Sequence, residues 1–87
     1  MEKRLQITNT TNRLMLVFTE PEGQDFWLKP GQTVELRAEI EFDEAVFIQE
    51  ETKEGVTIWP SVGMGYIETY LKDILLECGF QRPHGWP

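Results

Sequence analysis

The sequence predicts an all-β fold, an antiparallel sandwich or partly open barrel of six or seven short strands. Three observations carry that prediction. Val34, Leu36, Ala38 and Ile40 alternate with Thr33, Glu35, Arg37 and Glu39, the period-two pattern of a half-buried antiparallel strand. Residues 13–19 (RLMLVFT) are apolar on both parities, which marks a strand covered on both faces. Asparagine, proline and glycine interrupt the apolar runs at 9–12, 20–23, 30–31 and 60–65, where turns are needed.

The elements follow in order. Leu5 and Ile7 alternate with polar neighbours and make a first strand, and 9–12 (NTTN) turns the chain. In 13–19, Leu14, Leu16 and Phe18 share one face and Met15 and Val17 the other; Pro21 and Gly23 end the strand. The stretch 20–40 reads as strand, Pro-Gly turn, strand. Directly opposed residues in a ladder share a face. An odd-length connection around Pro30–Gly31 sets Leu28 opposite Val34 and Phe26 opposite Leu36, all inward. Trp27 then points outward, beside Glu35. Residues 45–49 (AVFIQ) and 56–59 (VTIW) are further strands, with Val56 and Ile58 inward and Trp59 out of phase with them.

Residues 66–78 (YIETYLKDILLEC) admit two readings. As a helix, Ile67, Tyr70, Leu71, Ile74, Leu75 and Cys78 form one stripe, with Gly79 as its stop. That gives the alternative architecture, the same sheet with one C-terminal helix at about 66–78. As a hairpin turning at Lys72 and Asp73, Leu71 faces Ile74 and Thr69 faces Leu76, which explains Leu76 but uses a poor turn pair. Periodicity alone leans slightly to the helix. Residues 80–87 (FQRPHGWP) read as an extended tail whose aromatics can pack back on the body, within a single domain, 1–87.

The bulk numbers bound the function. The 87 residues, 40 % hydrophobic and 11 % aromatic, suffice for one folded core. There is no apolar run of the length that crosses a bilayer and no signal-like apolar segment after Met1. With one cysteine, Cys78, the reading is a cytoplasmic chain with a free, core-buried thiol. Net charge is −7, and the segment 35–54 holds eight acids against Arg37 and Lys53, a net −6. Phosphate backbones need the opposite sign, so no nucleic-acid partner is expected, whereas a basic protein is compatible.

Chemistry-bearing constellations are missing. Type-1 copper needs two histidines beside the cysteine, and the chain has only His84. Zinc fails on the same ligand count. Ser61, the only serine, lies in WPSVG without a nucleophile elbow, and VGMGY is followed by no G-K-[ST]. The paired carboxylates sit at turns and strand ends. No catalytic residue, cofactor or metal is therefore assigned, and the chain is read as non-enzymatic. The expected function is an acidic protein-interaction module with a basic protein partner. Its candidate surface is Trp27, Trp59, Tyr70, Glu39, Glu41, Glu50 and Glu51. The alternative is a small-ligand or carbohydrate-binding domain built on exposed tryptophans.

Asn9–Thr10, then Leu14–Val17, then Glu20–Pro21, Gly23, Phe26, Leu28 and Pro30–Gly31 form an N-T…E-P-x-G-x-x-aromatic-x-L-x-P-G pattern. It resembles a group of small uncharacterised bacterial β-rich proteins. The match covers about a third of the chain. Tyr70–Asp73 stands where such proteins carry a D-G turn, but the turn glycine is lacking. The resemblance implies a compact all-β fold, with a hairpin rather than a helix at 66–78, and implies no activity.

Overall fold

Alternation becomes strand wherever the sequence carries it. A computed structural model describes residues 1–86, and Pro87, the end of the expected tail, lies outside the described residues. The strands are β1 Glu2–Thr8, β2 Met15–Thr19, β3 Gln24–Leu28, β4 Thr33–Glu39, β5 Phe47–Glu51, β6 Gly55–Pro60, β7 Glu68–Leu71 and β8 Ile74–Leu75. Two four-stranded sheets result, ordered β1–β4–β7–β8 and β3–β2–β6–β5. The fold is an open all-β sandwich with one strand more than the upper expectation, the two-residue β8.

The inward parities of both sheets meet in one core. Val17, Phe26, Leu28, Val56 and Ile58 come from one sheet, Val34, Leu36 and Ala38 from the other, with Ile67 beside them. Each of these side chains larger than alanine contributes about 1.5–3 kcal/mol by leaving water. Leu5 and Ile7 pack against this cluster from β1, as their alternation predicts. β2 is covered on both faces, with Leu16 and Val17 both buried.

The sheets depart from a simple meander in two places. β3 and β4 do not pair. β3 joins β2 (Leu28 opposite Met15, Phe26 opposite Val17), while β4 joins β1 (Leu36 opposite Leu5). The expected hairpin through Pro30–Gly31 is therefore corrected: its two arms lie in different sheets, and residues 29–32 cross between them. Phe26, Leu28, Val34 and Leu36 do point inward, but from opposite sheets. Asn9 anchors this crossing. It is fully buried; its amide donates to the carbonyls of Leu28 (2.7 Å) and Arg13 (2.8 Å), and its Oδ1 accepts from the N–H and hydroxyl of Thr11.

The second departure is the β2–β6 pairing, which is parallel, whereas every other strand pair is antiparallel. It begins where Leu16 meets Gly55, and Leu16 N–H donates to Glu54 C=O at 2.9 Å. A Cβ on Gly55 would stand 2.8 Å from both Leu16 N and Leu16 C, and closer still to the Leu16 carbonyl oxygen. The glycine is there because backbone passes where a side chain would be.

Residues 66–78 form no helix. Tyr70 pairs Leu75 and Leu71 pairs Ile74 around a two-residue loop, and Leu76 N–H donates to Thr69 C=O at 2.8 Å. Thr69 and Leu71 thereby continue the inward face of β4's neighbour, a solution the helical stripe could not offer to Leu76. Lys72 (φ 50°) and Asp73 (φ 65°) both take left-handed backbone, the geometry of a type I′ turn. Lysine is poorly suited to it. Lys72→Asn is expected to raise stability by about 0.5–1 kcal/mol, read as a higher urea midpoint.

Candidate functional site

β5 is an edge strand, and its outer face builds the candidate site. Ile48 stands opposite Trp59, and Glu50 opposite Thr57, on the side turned away from the core. One step further, Val46 is held to Ser61: its N–H donates to Ser61 Oγ (2.8 Å), and Ser61 N–H donates to Val46 C=O (3.1 Å). Val46, Ile48 and Trp59 are 47, 49 and 41 % exposed, a continuous apolar strip in water. Phe42 lies across Gly63 beyond its end and is also exposed. Singly exposed apolar residues are ordinary, but a contiguous row is not.

Acids frame the strip. Glu41, Asp43 and Glu44 are exposed in the loop before β5, and Glu50, Glu51 and Glu54 at its far end. The loop is tied down rather than loose. Glu41 N–H donates to Gly63 C=O at 2.8 Å, Ala45 is fully buried, and Lys3 Nζ donates to the carbonyls of Asp43 (2.8 Å) and Ala45 (2.6 Å). Lys3 has inward parity in β1, and its ammonium satisfies loop carbonyls instead of meeting apolar core.

The edge of β5 is open. Ser61 bonds Val46, and Thr52 and Gly55 exchange both N–H···O=C bonds. Bonded and non-bonded pairs alternate in an antiparallel ladder. Ile48 and Glu50 therefore bond toward β6, and the N–H and C=O groups of Phe47, Gln49 and Glu51 point out of the sheet. Beside that edge runs an open groove of about 400 Å³, whose lining includes the apolar Ile7, Met15 and Val56, the cations Arg13 and Lys53, and Glu51.

The predicted site residues do not all converge. Trp59, Glu41 and Glu50 share the strip and its rim. Glu51 has the opposite parity and lines the groove. Glu39 is exposed at the end of β4, 3.3 Å from the N-terminal ammonium. Tyr70 lies on the outer face of the other sheet, opposite Glu35. Its ring face is already occupied by the Arg37 guanidinium, 3.9 Å from the centroid. Arg37 in turn bonds Glu35 (2.7 Å) and Asp73 (2.6 Å). That hydrogen bond from Arg37 holds the Glu35 carboxyl below its ordinary range, while desolvation, with the hydroxyl's bond to Glu68, pushes the Tyr70 phenol up. These contacts also offset the direct opposition of Arg4 and Arg37 across β1 and β4.

Trp27 is a correction. It does point away from the core, but it is only 5 % exposed and lies on the opposite sheet from Glu35. The C-terminal segment covers it. Trp86 meets its ring edge-on at 4.9 Å, Trp27 N–H donates to Phe80 C=O, and Gln81 donates to the Trp27 carbonyl. Phe80 bridges to Phe26 alongside β3, so this edge of the sheet is occupied. Cys78, expected in the core, is exposed, its thiol 3.4 Å from Asp25. His84 is exposed.

Asp25 is what locks that segment down, and the sequence reading missed it. Its side chain is 5 % exposed. It accepts two bonds from Arg82 (2.6 and 2.8 Å) and one from Trp27 Nε1 (2.9 Å). The Arg82 hydrogen bonds, with those from Trp27 and the Cys78 thiol and against the cost of burial, lower the carboxyl from 3.8 to about 2. Because the folded value is the lower one, the contribution is complete above about pH 4 and is lost as the pH falls toward 2. The stability gap between wild type and Asp25→Asn is therefore expected to be at most about 2 kcal/mol at pH 6 and to narrow steadily as the pH falls from 4 through 2, followed by urea titration. It is an upper figure because the Arg82 side chain remains 44 % exposed.

No family model matches the sequence, and no curated protein or solved structure matches it either. Among the described residues, no three His, Cys, Asp or Glu side chains gather where they could hold a metal ion, and no helix is long and apolar enough to cross a membrane. The arrangement offers three things to a partner: apolar contact area, an acidic frame and unpaired backbone.

Proposed function

We propose that this chain is a non-enzymatic, acidic protein-interaction module of the cytoplasm that docks a basic protein partner on the β5–β6 face. The observation that carries this reading is the strip Val46–Ile48–Trp59, left in water and framed by acids. An exposed tryptophan among apolar neighbours is the usual core of an interface, and surrounding charges select partners of opposite sign and speed their encounter. The carbohydrate alternative is less well supported, because Trp27 is covered by Trp86 and one face of Tyr70 by Arg37, which removes two of the three rings that the sequence offered for stacking.

Affinity capture from the native host's extract tests the reading. The wild-type chain is expected to retain a basic protein that is lost with Trp59→Ala and with the joint Glu39→Lys, Glu41→Lys, Glu50→Lys and Glu51→Lys variant. Tyr70→Ala serves as the control and retains it. Equal retention by all variants would overturn the proposal.

A further inference from the structure

The open edge of β5 allows the mode of docking to be specified, and this step rests on the reading just given. We propose that the partner binds as an extended segment that adds to β5 as an antiparallel fifth strand, and that this segment carries two adjacent basic residues followed by two apolar ones.

Three outward-pointing N–H and C=O pairs, on Phe47, Gln49 and Glu51, supply the ladder. Main-chain bonds of this kind give strand addition its affinity, and alternate side chains give it specificity. The other edges are less suited. β3 already has Phe80 alongside it and Trp27 N–H bonded there. β8 has only two residues. β1 turns Lys3 inward, a feature that blunts an edge.

The guest's sequence follows from register. Directly opposed residues share a face. A guest residue opposite Ile48 lies on the outer face beside Ile48, which stands between it and Trp59, and extends their apolar strip, so it is apolar. One opposite Gln49 lies on the inward face, over the groove lined by Ile7, Met15 and Val56, and is apolar too. Those opposite Glu50 and Glu51 meet carboxylates and are basic. An antiparallel guest therefore reads, from its N-terminus, basic, basic, apolar, apolar. Charge also argues against a second copy of this chain as the occupant. Residues 41–54 hold six acids and one lysine, a net −5. Pairing β5 with its own copy would bring two such segments together, whereas a basic guest neutralises one.

The probe is the capped peptide Thr-Lys-Arg-Val-Ile-Thr, titrated calorimetrically into the full chain. Binding below about 1 mM is expected. Methylating the valine amide, which faces the Gln49 carbonyl, is expected to weaken it roughly tenfold, since it removes a ladder donor and adds a clash. Glutamates in place of lysine and arginine are expected to abolish binding. On the protein side, Gln49→Pro removes an outward N–H that β6 does not use, and proline is tolerated at a free edge; it should weaken the peptide similarly. The N-methyl peptide makes the same point on unaltered protein should that variant fold poorly. No binding of the basic peptide at 1 mM, or equal binding of its N-methyl form, overturns strand addition. If Trp59-dependent capture of a host protein persists in Gln49→Pro, strand addition falls while docking on the face stands. If the wild-type chain shows no Trp59-dependent capture either, both fall.

Discussion

Gly55→Ala is expected to be the most damaging single-methyl change in the chain. The added carbon would enter the envelope of the Leu16 carbonyl oxygen and stand 2.8 Å from Leu16 N and C, which are backbone atoms that no rotamer can move aside. Relief requires β6 to part from β2 at the first pair of their parallel ladder, where Leu16 N–H bonds Glu54 C=O. Overpacking flexible core side chains costs about 1–3 kcal/mol. An obstacle made of backbone belongs at or above the top of that range, so a loss of about 3 kcal/mol or more is expected. A domain of this size has roughly 5–10 kcal/mol in all. The urea midpoint should therefore fall by a third or more of its value. A midpoint unchanged from wild type would mean that the β2–β6 pairing is not as described. Since β6 carries Trp59 and pairs with β5, the same variant should also lose any partner that docks on their face.

Asn9→Asp is expected to be of similar size for an electrostatic reason. The Asn9 amide gives its two protons to Leu28 and Arg13 carbonyls and takes two bonds on Oδ1 from Thr11, so every valence is used in a site closed to water. A carboxylate there keeps the Thr11 bonds but turns a negative oxygen toward two carbonyl oxygens. A buried charge without a donor, together with two orphaned acceptors, costs about 3–5 kcal/mol. Burial beside two carbonyl oxygens raises that carboxyl above the usual carboxylate range, so it takes up a proton and regains one donor as the pH falls from neutral toward 4; the deficit should shrink across that window and level off below it. Stability curves of the variant at pH 7 and pH 4 check this. A deficit that does not change with pH would contradict the burial of the amide.

Much of the architecture can be read from single residues. Period-two alternation identifies β1, β4 and β6 and the faces of Leu5, Ile7, Val34, Leu36, Val56 and Ile58. The two-sided apolarity of β2 identifies a strand covered on both faces. Trp59 was legible as a residue out of phase with its strand, and it is exposed. What could not be read is which inward residues meet through a ladder and which meet across the sandwich. Parity is the same in both cases, so Leu28 and Val34 looked like hairpin neighbours when they belong to opposite sheets. That the tail's aromatics can pack back on the body was legible; their place over Trp27 was hidden for a different reason. It depends on contacts with residues more than fifty positions away, and a lone Asp25 in a strand and a lone Arg82 in a proline-rich tail carry no local signal of pairing. Asn9 was visible as a turn residue, and Gly55 stands just before the strand expected at 56–59. Their roles as a buried polar anchor and a point of backbone contact come from the crossing and the parallel pair, which local pattern does not encode.

The candidate site was half legible. The acids of 41–54 were conspicuous, and Trp59 was singled out. That Ile48 and Val46 share its face follows only from the pairing with β6, and the open edge follows only from sheet order. Trp27 and Tyr70 do have outward parity, but parity does not show what covers an outer face, and neighbours hold both.

The central claim is that a basic, extended partner segment settles on β5 and Trp59. Amide and indole chemical shifts of the isotope-labelled chain, recorded during titration with the Thr-Lys-Arg-Val-Ile-Thr peptide, test it most directly. The account predicts changes confined to residues 46–52, the Trp59 indole N–H and the groove residues Ile7 and Met15. Changes centred instead on Arg37 and Tyr70, or on the segment around Arg82, would contradict it.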